Sequence, residues 1–137
     1  MAGGVIEYHV GGTPPITMTV GSGGVVGGNL VELSDDWTVI KAADNSKTVI
    51  GVALTDGAAG DTVAVAVSGV YGLTAAAAGV VTQGGRIMAG GSGLFKAAPD
   101  PDGTYSEAEG EIALQIVGIA LADIANDGTG PVLLTIG

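Results

Sequence analysis

The stretch VIGVALTD (residues 49–56) returns near the end of the chain as IVGIALAD (116–123), 67 positions later. Gly51, Ala53, Leu54 and Asp56 reappear as Gly118, Ala120, Leu121 and Asp123, and the β-branched positions only exchange Val for Ile. The flanks extend the match. GGNLVEL (27–33) precedes the first copy and GGRIMAG (84–90) the second, while GDTVAVAVSG (60–69) corresponds to GTGPVLLTIG (128–137). Each copy runs Gly-Gly, apolar strand, loop, apolar strand, acidic turn, apolar strand, Gly. The second copy is longer by 10 residues between its first two blocks, close to the size of PDPDGTYSEAEG (99–110). Two copies are too few for a solenoid, which needs about three stacked units. A duplicated β unit closed into one compact sandwich or small barrel fits instead.

Composition agrees with a single small domain. A chain of 137 residues buries roughly two-thirds of its unfolded surface. The 26 glycines punctuate Val, Ile, Leu and Ala runs rather than forming a low-complexity tail, and 47% of the residues are hydrophobic, which argues against disorder. With one Phe, one Trp and three Tyr, the core must be aliphatic and small. Burial per residue is therefore modest, and self-association would help stability.

Period-2 alternation places strands at 16–20, 29–33, 37–41, 49–54, 62–67, 70–73, 86–89, 94–97, 111–121 and 132–136. One helical turn is expected within 74–83, with Thr74 as N-cap, and another at 123–126. Many short strands with regular turn signals define an all-β sandwich or barrel. Pro14 and Pro15 fix φ and remove two backbone donors, so the start reads as an extended arm. The expected layout is an arm with the first strand (1–19) and a single β domain (20–137) with related halves at about 27–69 and 84–137.

The formal net charge of −10 comes from 14 acidic residues against four basic ones. Lys41, Lys47, Arg86 and Lys96 form no cluster, so phosphate neutralisation, and with it nucleic-acid binding, is disfavoured. The absence of Cys excludes disulfides and thiolate metal sites. Asp or Gly interrupts every apolar run short of a membrane span. MAGGVIEYHV has neither a basic segment nor a long apolar core, so a cytoplasmic product without an export signal is expected.

Catalytic constellations fail one by one. No Ser lies in G-x-S-x-G, and His9, the single histidine, sits in the arm, where a triad would require the arm to fold back. Asp56 and Asp123 recur at equivalent strand ends, and Asp61 and Asp127 follow them. All four read as turn residues that bond nearby backbone. Asp100, Asp102, Thr104 and Glu111 match positions 1, 3, 5 and 12 of a calcium loop, but Tyr105 stands where Gly is needed, so a solvated loop is expected and no metal. No Walker loop and no dinucleotide fingerprint exists, and no cofactor is expected. Trp37, after Asp35 and Asp36 at a turn, is balanced between core and interface. For Tyr71 and Phe95 the core is favoured.

The order of blocks resembles the tailed-phage capsid cement, or head decoration, proteins. The carrying stretches are PITMTV (15–20), GGNLVEL (27–33), VIGVALTDGAAGDTVAV (49–65), GVYGLTA (69–75) and GGRIM (84–88). The resemblance implies a β-tulip-like fold with an N-terminal arm. It further implies a non-enzymatic virion protein, made in the host cytoplasm, that binds the outer surface of an expanded icosahedral shell. Its expected partners are the major capsid protein and itself as a homotrimer, or alternatively a homodimer, with no nucleic acid and no membrane. Val5, Ile6, Tyr8, His9, Pro14, Pro15 and Trp37 are the expected interface residues, because exposed Gly/Pro-rich backbone can add to a neighbouring sheet edge. The competing expectation is a β-sandwich surface-binding module for carbohydrate or a host surface.

Overall fold

The computed structural model describes residues 14–76, 80–98 and 115–135. Among these residues ten strands follow one another: β1 (Ile16–Val20), β2 (Leu30–Asp35), β3 (Thr38–Lys41), β4 (Val49–Ala53), β5 (Thr62–Ala66), β6 (Gly69–Thr74), β7 (Arg86–Gly91), β8 (Leu94–Ala97), β9 (Ile116–Ala120) and β10 (Thr129–Leu134). The first five close into a barrel in the order β1-β3-β2-β4-β5. Closure comes from β1, which pairs parallel to β3 and antiparallel to β5. The second five form a sheet in the order β6-β10-β9-β7-β8, whose outer strands meet through a parallel bridge between Ala75 and Phe95. The fold is all-β and is built from a duplicated unit, as the repeat predicted.

The duplication is more complete than the repeated words indicate, and it reaches β1 and β6. Ile16 faces Val65 as Tyr71 faces Val132, Val31 faces Gly51 as Ile87 faces Gly118, and Ala53 faces Val65 as Ala120 faces Val132. Even the irregularities recur: register shifts at Leu33/Asp35 and Val31/Glu32 have counterparts at Ala89/Gly91 and Ile87/Met88. Such bulges re-aim a strand at fixed points.

Several sequence expectations are corrected. The Gly-Gly blocks align one residue differently: Gly28 (φ 95) matches Gly84 (φ 80), and their N–H groups donate to Ala53 O and Ala120 O, each at 2.8 Å. Likewise Gly60 (φ 92) matches Asp127 (φ 56), not Gly128. The left-handed turn position sets the register, and a slip of one residue would turn every side chain to the wrong face. The expected helical turn after Thr74 is absent among the described residues: Thr74 ends β6, its Oγ1 lies 2.9 Å from Thr129 Oγ1, and Val81 bridges Ile124. That bridge also replaces the helical turn expected at 123–126. The strand expected over 111–121 begins, in its described part, at Ile116. Residues 111–114 and the 99–110 loop with its candidate calcium ligands lie outside the described residues.

Alternation explains the core. Val31, Ala53 and Val65 point into the first barrel with Met18, Val20, Val25, Val39 and Val63. Their strand neighbours Leu30, Val52 and Ala66 point outward, yet they are equally buried, because they join a second cluster with Leu73, Ala89, Phe95, Val117 and Leu134. The outer wall of the first barrel thus covers one end of the second half. The seam is also hydrogen-bonded: Leu30 N donates to Gly93 O at 2.8 Å, Gly93 N to Ala42 O at 3.1 Å, and Asn45 N to Ala89 O at 3.1 Å. Lys96 Nζ lies 2.8 Å from Asp44 Oδ1. Position 93 has φ 78, and a Cβ there would stand 2.6 Å from Asn29 Cγ, so Gly is needed at this crossing.

Candidate docking surface

The repeated aspartates fasten loops. Asp56 Oδ1 accepts from Gly27 N at 2.8 Å, and Asp123 Oδ1 accepts from the equivalent Gln83 N at 2.8 Å. Asp61 Oδ2 accepts from Ala58 N at 3.0 Å, while Asp127 takes the left-handed turn position. A hollow of ≈ 390 Å³ lined by Lys41, Asp56, Asp61 and the turn at Gly23, Gly24, Val25 and Val26 lies here. Both of its carboxylates are engaged by backbone N–H groups, Asp56 by Gly27 and Asp61 by Ala58. Among the described residues no group of three or more His, Asp or Glu side chains is placed to hold a metal ion. No helix among them is long and apolar enough to cross a membrane.

The other end of the first barrel is different in kind. There β1 and β4 begin while β2 and β5 finish, and Ile16, Met18, Leu33, Ile50 and Val67 line an apolar groove of ≈ 440 Å³ with Asp36 and Trp37 at its lip. Trp37 is 68% exposed, Leu33 42% and Ile16 37%. The sequence left Trp37 balanced; the fold puts its ring outside. Its placement is held by the β2–β3 turn, in which Asp35 Oδ1 accepts from Asp36 N, Thr38 Oγ1 donates to Asp36 O, and Trp37 O accepts from Thr19 N. Trp37 has φ 51, a left-handed value that costs a bulky residue roughly 1 kcal/mol or more. A strained turn that displays the chain's single Trp beside exposed apolar side chains has the composition of an interface centre.

Of the other expected interface residues, Pro14 and Pro15 are exposed just before β1 at this end of the barrel. Val5, Ile6, Tyr8 and His9 lie outside the described residues. The groove residues Ile16, Leu33, Ile50 and Val67 were missed. Each sits on an ordinary alternating strand, and only barrel closure shows that they share an end. Tyr71 and Phe95 are buried, as favoured.

A duplicated five-stranded unit with fastened loops, no assembled catalytic group among the described residues and one strained apolar lip is the frame of a binding or structural module. Residues 10–136 match the phage cement protein family, and the chain belongs to that family. Among solved structures it is similar to the N base of head fiber gp8.5 of bacteriophage phi29, with a TM-score of 0.62, 18% identity, and coverage of 88% of this chain and 92% of that one. At that identity the likeness concerns the fold. A search of curated proteins finds no match. The chain is thus a phage capsid-associated structural protein of the virion.

Proposed function

We propose that this protein binds the outer surface of an expanded phage head, over junctions between capsomers, and braces the shell against internal pressure. The observation that carries the reading is family membership across almost the whole chain. The protein acts as a homotrimer, or alternatively a homodimer, is made in the host cytoplasm and performs no catalysis. Its partner is the major capsid protein, contacted in part by the arm with Val5, Ile6, Tyr8, His9, Pro14 and Pro15. A ligand that binds only the expanded shell stabilises it by mass action, and many modest contacts add up over one particle. The carbohydrate-module alternative calls for a polar cleft beside an aromatic platform. The groove next to Trp37 is lined mainly by Ile, Leu, Met and Val, which disfavours it.

The test is a gradient sedimentation of purified protein with expanded heads that lack it, followed by quantification on the particles. Saturable binding in hundreds of copies, with raised resistance of the heads to heat, is the expected result. Protein that stays at the top of the gradient at every concentration refutes the capsid role.

A further inference from the structure

The two halves are equivalent in backbone but not in surroundings. In the second half the positions matching Ile16, Leu33, Ile50 and Val67 are Tyr71, Ala89, Val117 and Leu134, and all four are buried. They are covered by the outer wall of the first half. The groove is therefore the equivalent end of the first half, where Ile16 and Leu33 are exposed.

The cover has a duplicate too. Leu30, Val52, Leu54 and Ala66 form the covering wall of the first half. Their equivalents in the second half are Arg86, Ile119, Leu121 and Leu133, which form an outer wall on which Arg86 and Leu121 are exposed. Leu121 is 47% exposed, whereas Leu54 packs against the shared cluster.

The substitutions between the two walls are complementary. At the internal seam Asn29 and Leu30 meet the hairpin tip Gly91-Ser92-Gly93. Their equivalents are Gly85 and Arg86 on the wall and Asp35-Asp36-Trp37 on the tip. The large ring replaces Gly93 where Asn29 gives way to Gly85, so bulk moves from one side to the other. Two carboxylates appear on the tip where the wall gains a guanidinium, one of only four cationic side chains.

We infer that a second copy of this chain seats its Arg86–Leu121 wall on the Trp37 groove, in a head-to-tail contact that repeats the internal seam between molecules. The two contacting surfaces are different, so the contact is heterologous and closes into a ring or runs on. The contact stands on the internal duplication and needs no capsid; only the number three rests on the function proposed above.

The experiment uses the purified full chain without heads, with sedimentation velocity across a concentration series. The wild type is expected to self-associate. Trp37→Gly leaves the left-handed turn intact, and Arg86→Glu changes an exposed side chain, so both keep the wild-type circular dichroism. Each alone is expected to weaken association by at least about tenfold. Mixed one to one, they are expected to form a two-copy complex, because the Arg86→Glu copy retains the groove and the Trp37→Gly copy retains the wall. A monomeric wild type overturns the inference, as does wild-type association in either variant. A mixture that forms no pair points to a symmetric contact and overturns it as well. Head binding by a monomeric wild type would leave the proposed function standing while this contact falls.

Discussion

Replacing Asp56 by Ala removes the acceptor of Gly27 N and leaves that donor in a buried position. Replacing Asp123 by Ala removes the equivalent bond to Gln83 N, but Gln83 is exposed and water can take the acceptor's place. A hydrogen bond to a charged group contributes about 1.5–3 kcal/mol, and a stranded buried donor costs about 1–3 kcal/mol. A water-accessible bond falls nearer the lower bound of about 0.5 kcal/mol. Asp56→Ala should therefore cost about 2 kcal/mol and Asp123→Ala at most about 1 kcal/mol. For a domain of this size, that is a drop in melting temperature of roughly 8 °C against 4 °C or less. Asp56→Asn keeps a carbonyl oxygen in reach of Gly27 N and should recover more than half of the loss. Equilibrium urea unfolding followed by circular dichroism reads all three. Equal losses for the two Ala variants, or an Asn variant no better than Ala, would refute the assignment of both aspartates to loop fastening. The double Asp-to-Asn variant should still fold and bind heads. Loss of a function without loss of folding would instead give the pair a chemical role.

Three further outcomes follow from the packing. Phe95 is fully buried where β8 meets the shared cluster, so Phe95→Ala should cost about 3–5 kcal/mol in denaturant unfolding. Gly51→Ala would drive a Cβ onto Ala66 O, and Gly118→Ala would set one 2.6 Å from Leu133 O. Each should lose about 1–3 kcal/mol, and a neutral result at either would contradict the close strand approach. Lys96→Met breaks the ion pair to Asp44, whose side chains are 29% and 56% exposed. The loss should be under about 1 kcal/mol, and it should shrink as salt is raised.

Much of the fold was legible because alternation and turn chemistry are local. The strand bounds at Ile16–Val20 and Leu94–Ala97 were read from residues that lie on the strands themselves. Among the described residues the helical turns give way for a nonlocal reason: Val81 and Ile124 are 43 positions apart, and their bridge takes backbone groups that a helical turn needs. The one-residue slip in aligning the Gly-Gly blocks has a similar cause. The letters favour the slipped register, which pairs two glycines with two, and only the positive φ at Gly28 and Gly84 identifies the true one.

By itself the sequence determined that the chain is a doubled all-β unit without an evident catalytic constellation, because repeats, periodicity and missing residue types are properties of one dimension. It also carried the family resemblance, since the repeated blocks are the family's blocks. What the tertiary structure decided is which copies of equivalent residues are covered. Leu54 and Leu121 are the same letter in the same word, yet one packs against the shared cluster and the other is 47% exposed. The reason is geometric: among the described residues, the wall of the first half is the one that packs against the end of the second.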